Sequence, residues 1–496
     1  MRGGCGGQRV RGLRGRAAFR PVRPHAIVIA MTGTETYRGT GLIADPIHRY
    51  ILYTRPEPGV LGEATEQDLM DTPWVQRLRR IPQLQSARWV YPTAEHSRFP
   101  HALGAMHVAG RFARQLGPSL RSGFPDAPST SLIEELLRVA GLLHDVGHGP
   151  FGHFFDDNFL ADYDLTHELV GQRIIREELS DIIRGLRRSP SGPFADGEAI
   201  DPGWICYLMG KAYTQPGHGD PSWLAVLKPI LSGIYTADNL DYVLRDSYMC
   251  GVAVGADLDR IIYHSFVTPE GLTLDRGGTQ ALIMFLHARY YMYTNVYYHR
   301  TTRAIDLHLK EIFRPTMRIV FPWDLSQELH PYLHLTEWSL LEEVGRWHDA
   351  EDPDRRALGQ EWRQILERRL KWRMVHEEVL DDSMIKVWAV MRPEYVAGQV
   401  REALSPGLRH LDFQIDLAFQ DPRPLNPLAL GDRQIYVYDG TTGRVSPEPL
   451  AALFKYLPAK VAQCRIFARD HRHDHELTRA FRRVLYEDRP AIPTNV

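Results

Sequence analysis

Histidine and aspartate are concentrated in one short segment of this 496-residue chain. Residues 142–153 read LLHDVGHGPFGH, which places three histidines and one aspartate close together. Imidazole and carboxylate side chains together bind divalent metal ions, and such an ion lowers the pKa of water towards neutrality. The segment therefore indicates hydrolytic chemistry at a metal centre. The chain has no GxxxxGK[ST] loop, no GxSxG elbow and no GxGxxG between a strand and a helix, which argues against those nucleotide-binding and hydrolase classes.

Three separate stretches of chain carry apolar residues at helical spacing that continue onto a residue able to bind a metal. The stretches are 101–112, 133–144 and 231–238. Burying an isolated carboxylate costs several kcal/mol or more, so Asp238 needs a cation or a strong donor beside it. A mixed set of imidazoles and carboxylates does not select one ion, and Mn, Fe, Mg, Zn and Ni all stay open. The predicted metal ligands are His101, His144, Asp145 and Asp238.

Two arginines indicate what the metal centre acts on. Arg98 lies just ahead of His101, and Arg289 lies beside a tyrosine-rich stretch at 290–298. A planar guanidinium binds two phosphate oxygens at once, so arginines next to a metal favour a phosphate substrate. The tyrosines could offer aromatic faces to a base or a sugar, although core packing is the commoner reason for any one of them.

The elements that must position these groups are mainly helical. Residues 40–314 show helical periodicity, with a predicted capping box formed by Ser131 and Glu134. Residues 337–378 are also typical of an amphipathic helix. Further on, 413–419 alternates as a half-buried strand does, and 434–443 is typical of a hairpin. The predicted fold class is therefore mainly α, with a smaller mixed α+β lobe at the C-terminal end.

Composition and charge narrow the class of protein. Apolar residues make up 44% of the chain and charged residues 24%, as in ordinary globular proteins. The 59 Lys and Arg against 61 Asp and Glu leave a net charge of −2, so a uniformly basic nucleic-acid-binding surface is not expected. The four cysteines form no CxxC pair, and no apolar run approaches the roughly 18 residues of a membrane span. We expect a cytoplasmic protein that does not bind a membrane.

Seven segments of the chain, spread over residues 40–305, resemble the HD-domain phosphohydrolase superfamily, which is named for its His, His-Asp and Asp metal ligands. Within it they are similar to the dNTP triphosphohydrolase branch, which comprises the sterile-alpha-motif-and-HD-domain type catalytic core and its bacterial relatives. The resemblance implies metal-dependent hydrolysis of deoxynucleoside triphosphates to deoxynucleoside and tripolyphosphate. The segments are Asp45–His48, Asp71–Arg79, Ser97–Gly104, Gly141–His153, Thr166–Glu168, Asp238–Asp246 and Tyr297–Arg300.

The resemblance also implies roles for individual side chains. It makes His153 the general acid that protonates the departing 5′-oxygen, supported by Asp156 and His167. The residues implied to hold the triphosphate are Arg98, His148 and Arg289. The residues implied to surround the deoxyribose are Gln83, Tyr242, Asp246 and Tyr297.

The sequence departs from this branch at positions that concern ligand binding. Asn239 stands where a phosphate-binding lysine is expected, and Tyr293 where a histidine is expected. At the site for an activating nucleotide, Gly41 and Ala44 replace polar residues, whereas Asp71, Gln76 and Arg79 match. Those three could equally serve a structural turn and helix. The resemblance thus leaves an activating nucleotide open, and it implies a homo-oligomer, either a dimer or a tetramer.

Two alternative functions stay open. The first is another HD-type nucleotide phosphohydrolase or phosphodiesterase, and the second is a non-catalytic module that senses nucleotides or nucleic acid. His153 beside the metal motif favours catalysis, because a structural metal site does not need it. We divide the chain into 1–35, a disordered tail or an over-extended start; 36–320, an HD-type phosphohydrolase domain; and 321–496, a helical and then mixed α+β lobe.

Overall fold

Helices α3 (Arg98–Gly123) and α4 (Thr130–Leu143) pack against each other and carry long stripes of buried apolar residues. Gly141 lets them approach closely, because a Cβ at that position would lie 2.8 Å from the carbonyl oxygen of Ala105. This is a computed structural model, and it describes residues 39–57, 59, 62–210, 221–380, 392–420, 435–448 and 461–486. The predicted tail at 1–35 lies outside the described residues.

The remaining elements follow in chain order. The other helices are α1 (Glu66–Met70), α2 (Pro73–Arg77), α5 (His153–Asn158), α6 (His167–Ile174), α7 (Ser180–Gly185), α8 (Pro202–Met209), α9 (Ser222–Leu227), α10 (Ala237–Cys250), α11 (Leu258–Tyr263), α12 (Thr279–Met292), α13 (Arg300–Val320), α14 (Glu337–Gly345), α15 (Pro353–Leu366), α16 (Pro393–Ala403) and α17 (Asp474–Tyr486). The strands are β1 (Thr40–Asp45), β2 (Arg49–Thr54), β3 (Arg188–Ser189), β4 (Gly192–Pro193), β5 (Ser265–Thr268), β6 (Gly271–Asp275), β7 (Arg373–Val379), β8 (Phe413–Gln420), β9 (Ile435–Asp439), β10 (Arg444–Glu448) and β11 (Val461–Ala468).

The start of α4 differs from the predicted one. Its N-cap is Ser129, whose hydroxyl accepts a hydrogen bond from the backbone N–H of Leu132 at 3.2 Å. The predicted capping box at Ser131 and Glu134 is therefore wrong. Glu134 is fully buried and is used elsewhere, as the partner of an arginine on α3. A buried charge needs such a partner, and that need overrides its local capping propensity.

The start of the helix that carries Asp238 differs as well, because this helix begins later than the apolar spacing from residue 231 suggests. Thr236 caps α10 in a capping box with Asn239, so the helix starts at Ala237. Asp238 consequently lies in the first turn of α10. The predicted helical stripe running through 231–238 is wrong, although it ended on a residue that does reach the metal cluster described below.

Several small sheets accompany the helices. β1 and β2 pair as an antiparallel hairpin within a stretch predicted to be mainly helical. The strand predicted at 413–419 is confirmed as β8, and the hairpin predicted at 434–443 is confirmed as β9 and β10. Residues 373–379 were expected to be helical but form β7, which pairs with β11. Pairing with β11, which is distant in sequence, determined that this segment is a strand, and the helical periodicity of the segment carries no information about that pairing.

Apolar side chains form two main cores. The larger core draws its residues from Ile51 to Ile365 and includes Val437, and the smaller one lies between Leu380 and Leu485. The predicted fold class, mainly α with a smaller mixed region, is confirmed. Within the described ranges, no helix is both long enough and apolar enough to cross a membrane.

Candidate metal centre and active site

The four predicted metal ligands converge on one small volume. His101 lies in the first turn of α3, His144 directly follows the last residue of α4, and Asp238 lies in the first turn of α10. The Nε2 atoms of the two histidines are 3.2 Å apart. Oδ1 of Asp238 lies 3.2 Å from His101 Nε2 and 3.5 Å from His144 Nε2. The Asp145 carboxylate approaches the same two nitrogens at 3.8 and 3.3 Å.

These donor atoms fit a divalent cation. Nδ1 of His101 donates to Oδ2 of Asp241, and Nδ1 of His144 donates to the carbonyl oxygen of Gly141, both at 2.8 Å. Because a carbonyl and an ionised carboxylate only accept, each neutral ring keeps its proton on Nδ1 and directs the lone pair of Nε2 inward. Two lone pairs and two carboxylates then face one another, which requires a positive charge between them. The residues that would hold a metal are His101, His144, Asp145 and Asp238.

The pKa values at this cluster reflect the same need for positive charge. Burial opposes protonation of His101, but hydrogen bonds with Asp238 and Asp241 outweigh it and raise its pKa to about 10. The pKa of His144 is also raised: burial opposes its protonation, but the negative charge of the neighbouring Asp145 outweighs this effect. The pKa of the Asp238 carboxyl group is below its ordinary value despite burial, because His101 and His144 stabilise the anion.

A buried carboxylate behind the cluster, Asp241, orients His101, and this role was not predicted from the sequence. Besides the bond from His101, Asp241 accepts a hydrogen bond from Nε2 of His48 at 2.7 Å. It also accepts two from the Arg245 guanidinium, each at 2.8 Å. The spacing of Asp241 and Arg245, four residues apart on one helix, was a usable signal.

Two further residues complete this network. Arg245 donates from Nη1 to Oδ2 of Asp45 at 2.8 Å, which connects the β1–β2 hairpin to the site. Gly104 provides the space for the Asp241 carboxylate, since a Cβ at that position would overlap with it. The chain thus builds a second layer of support around one metal-ligand candidate.

The three residues expected to perform and support proton transfer form a second cluster with His148. Nδ1 of His167 contacts the Asp156 carboxylate, and Nδ1 of His153 lies 3.4 Å from Oδ2 of the same carboxylate. The His148 ring stacks on His167 at 3.7 Å, and its Nε2 lies 3.3 Å from Asp145 Oδ1 of the first cluster. The side chain of His153 is 60% exposed, so it is open to a ligand. The four side chains of this second cluster could also hold an ion.

The buried members of the second cluster favour neutral imidazoles. Burial lowers the pKa of His148 well below its ordinary value, and Arg98 and His167 add to the effect. Burial also lowers the pKa of His167, with Asp156 opposing the shift. Thr166 is the N-cap of α6, so His167 lies at the positive end of the helix dipole, which also disfavours its protonation.

Four residues predicted to bind substrate carry buried polar atoms that accept or donate no hydrogen bond within the described part of the chain. Most buried polar groups in proteins do have partners, so several orphans among these residues indicate that a ligand or water satisfies them. Arg98 also pairs with Asp145, and Arg289 is buried. The atoms are Nε and Nη1 of Arg289, Nε of Arg98, both ring nitrogens of His148, and Oε1 of Gln83.

Two tyrosine rings lie beside the metal-ligand candidates. The Tyr242 ring lies 6.3 Å from the His101 ring and 6.3 Å from the Tyr297 ring. Asp246 accepts a hydrogen bond from Tyr297 at 2.7 Å and lies 2.8 Å from Nε2 of His96. Both carboxylate oxygens of Asp246 therefore have protein partners, and its contact with a sugar stays a prediction.

The residues that match the activator site make local contacts. Nε2 of Gln76 donates to the carbonyl oxygen of Met70 at 2.7 Å, and Nε of Arg79 donates to Oε1 of Gln76 at 2.8 Å. Asp71 is the C-cap of α1. Asn239, which replaces the expected lysine, serves the capping box of α10. Nucleotide activation therefore stays a prediction.

Comparison with known proteins shows which families the chain resembles. A profile described as HD domain matches residues 98–218, and one described as HD associated region matches residues 256–318. The chain therefore contains a region similar to HD domains and, after it, a region similar to HD-associated regions. It resembles the deoxynucleoside triphosphate triphosphohydrolase branch of the HD phosphohydrolases through two relatives that carry this name. It is also similar to an uncharacterized protein and, in fold, to one solved structure.

The relatives match different shares of the chain. Deoxynucleoside triphosphate triphosphohydrolase SAMHD1 homolog of Dictyostelium discoideum is 25% identical over 84% of this chain and 77% of its own length. Uncharacterized protein YwfO of Bacillus subtilis is 28% identical over 62% of this chain and 66% of its own length. SAMHD1 of Homo sapiens is 29% identical over 55% of this chain and only 44% of its own length. The crystal structure of a hypothetical protein from Aquifex aeolicus matches with a TM-score of 0.64 and 23% identity, over 89% of this chain and 99% of the other.

Proposed function

We propose that this protein is a metal-dependent dNTP triphosphohydrolase, which converts a deoxynucleoside triphosphate and water to deoxynucleoside and tripolyphosphate. The observation that carries the proposal is the pair of inward-facing Nε2 atoms 3.2 Å apart, set between two carboxylates and beside arginine nitrogens that have no hydrogen-bond partner among the described residues. The similarity to proteins named as dNTP triphosphohydrolases supports the choice of substrate.

The metal ligands in this proposal are His101, His144, Asp145 and Asp238. A divalent ion bound there supplies Lewis-acid chemistry, which lowers the pKa of water and neutralises phosphate charge. The orientation of His101 depends on Asp241, whose carboxylate holds the proton of the ring on Nδ1.

Positively charged and neutral donors beside the cluster bind the triphosphate. Arg289 is suited to this role, because two of its buried nitrogens have no partner among the described residues. Arg98 joins it while also orienting Asp145. His148, kept neutral by burial, donates a hydrogen bond without adding charge.

His153 acts as the general acid in the proposed reaction. Water adds to the α-phosphorus, the bond from phosphorus to the 5′-oxygen breaks, and His153 delivers the proton that this oxygen needs. The Asp156 carboxylate lies beside Nδ1 of both His153 and His167, so it helps to orient the acid. Gln83, Tyr242, Asp246 and Tyr297 surround the deoxyribose.

Product analysis tests this function most directly. The purified full-length chain is incubated with each dNTP and either Mn²⁺ or Mg²⁺, and the phosphate product is identified by ion chromatography. Tripolyphosphate together with deoxynucleoside is the expected result. Orthophosphate or pyrophosphate would instead point to another HD-type phosphohydrolase, and binding without turnover would point to a sensing module. Gel filtration with and without added nucleotide tests the expected homo-oligomer and its activation.

A further inference from the structure

The turn before His153 has an unusual backbone. Phe151 and Gly152 both adopt positive φ angles, of 63° and 52°. Bulky side chains rarely occupy this region, and they persist there only where the surroundings hold them. The Phe151 ring is fully buried, with the Phe313 ring 5.9 Å and the Trp362 ring 6.3 Å away. The α5 helix that starts at His153 has no side-chain N-cap, so this turn determines the backbone position from which the His153 imidazole projects.

A carboxylate from a distant part of the chain holds this turn. The backbone N–H of Phe151 donates to Oε2 of Glu337 at 3.0 Å. Glu337 is completely buried in the first turn of α14, and Nη2 of Arg88 lies 3.2 Å from its Oε1. Burial raises the pKa of Glu337 to about 7, with Arg88 opposing the rise.

Two neighbouring side chains hold the same loop at other points. The hydroxyl of Tyr332 donates to the carbonyl oxygen of Gly147 at 2.8 Å, and Nη1 of Arg77 donates to that of His148 at 2.6 Å. Arg77 also binds the carbonyl oxygens of Tyr332 and Leu335. The loop between the His144–Asp145 pair and His153 is thus tied at three backbone atoms. All of these ties come from outside residues 98–218.

We propose that Glu337 is a positioning residue for His153, acting through the backbone N–H of Phe151. This inference rests on the proposed function, in which His153 is the general acid. His153 is largely exposed, and its partners are Asp156 at 3.4 Å and the rings of His148 and His167 at 4.9 and 5.1 Å. These contacts lie on one side of the ring, so its position also depends on the backbone turn from which it projects. Without Glu337 the turn loses the acceptor that stabilises its strained conformation, and the imidazole is displaced from the leaving oxygen.

The test compares Glu337→Ala, Glu337→Gln and the control Glu342→Ala in the full-length protein. Glu342 lies on the same helix but is exposed and pairs only with Arg346 among the described residues. In Glu337→Ala we expect kcat for dNTP hydrolysis to fall roughly 10- to 100-fold, with KM and bound metal within about twofold of wild type. Glu337→Gln keeps an acceptor oxygen, so its kcat should stay within about threefold. The control should match wild type.

Two further measurements separate positioning from general stability. If Glu337 acts through His153, adding Glu337→Ala to His153→Ala should cost no further activity, whereas independent effects would multiply. Hydrogen exchange at the Phe151 amide should accelerate by roughly tenfold or more in Glu337→Ala. The inference would be overturned if hydrogen exchange at Phe151 were unchanged in Glu337→Ala, or if the activity losses of the two single variants multiplied in the double variant. It would also be overturned if Glu337→Ala lost bound metal while its kcat stayed at the wild-type value.

The exchange measurement also covers the remaining outcomes. It needs no substrate, so a wild-type protein that hydrolyses no dNTP would overturn the proposed function while the Phe151 amide still reports on the contact with Glu337. If Glu337→Ala does not fold, Glu337→Gln decides. A kcat of Glu337→Gln as low as that of His153→Ala, with the Phe151 amide still protected from hydrogen exchange, would contradict the positioning role.

Discussion

Replacing Gly104 by alanine tests whether the Asp241 carboxylate supports the metal-ligand candidate His101. The new Cβ would overlap with Oδ1 of Asp241 and lie 2.5 Å from Nη2 of Arg245. Neither group can move aside easily. Asp241 is completely buried and engages His101, His48 and Arg245, while Arg245 is also tied to the β1–β2 hairpin.

The size of the effect follows from these contacts. Overpacking a well-filled interior typically costs about 1–3 kcal/mol, and disturbing a buried ion pair costs about 3–5 kcal/mol. Gly104→Ala does both but deletes no charged group, so we expect the free energy of unfolding to fall by roughly 3 kcal/mol. Because the displaced carboxylate orients His101, metal affinity should also fall roughly 10- to 100-fold.

Urea unfolding and calorimetric titration with Mn²⁺ measure the two quantities. The matched control is Gly123→Ala, which makes the same substitution in the same helix where a Cβ meets nothing within 4 Å. It should leave metal affinity unchanged and change stability by less than about 1 kcal/mol. If Gly104→Ala binds metal as tightly as the control, Asp241 does not orient His101 as inferred.

Three other outcomes are expected. His144→Ala and Asp145→Ala should each abolish both bound metal, measured by elemental analysis, and turnover, whereas His153→Ala should keep the metal and lose roughly 100-fold or more in kcat. Equal behaviour of all three would contradict the assigned roles. Chelation of the metal should lower the melting temperature, by an amount equivalent to about 2.7 kcal/mol if the free ion had been at 100 times its Kd; an unchanged melting temperature would argue against a bound ion. Because the folded-state pKa of Glu337, about 7, lies above the ordinary 4.5, its burial makes wild type lose stability as pH rises between those values. In urea unfolding, the free energy of unfolding of Glu337→Gln should therefore rise relative to that of wild type between about pH 5 and about pH 7.5. Parallel dependences of the two free energies on pH would rule this out.

The helical class and the convergence of the metal-ligand candidates could be predicted because their signals are local. His144 and Asp145 are adjacent, and the apolar spacing that leads to His101 and His144 reflects neighbours within one helix. Local signals failed where a distant partner decided the outcome. Residues 373–379 form a strand because β11 pairs with them, and the buried carboxylate of Glu134 pairs with Arg114 of α3 and does not form the predicted cap.

The sequence by itself determined which residue types could bind a metal and that the apolar spacing leads to His101 and His144, since periodicity and side-chain chemistry are properties of short stretches. Only the tertiary structure decided what holds those residues in place. Gly104 and Glu337 carry no distinctive spacing of their own, and the spacing of Asp241 and Arg245 does not reveal that Asp241 faces His101. Their roles arise because buried charges must find partners, and folding brings together groups as far apart in the chain as Phe151 and Glu337.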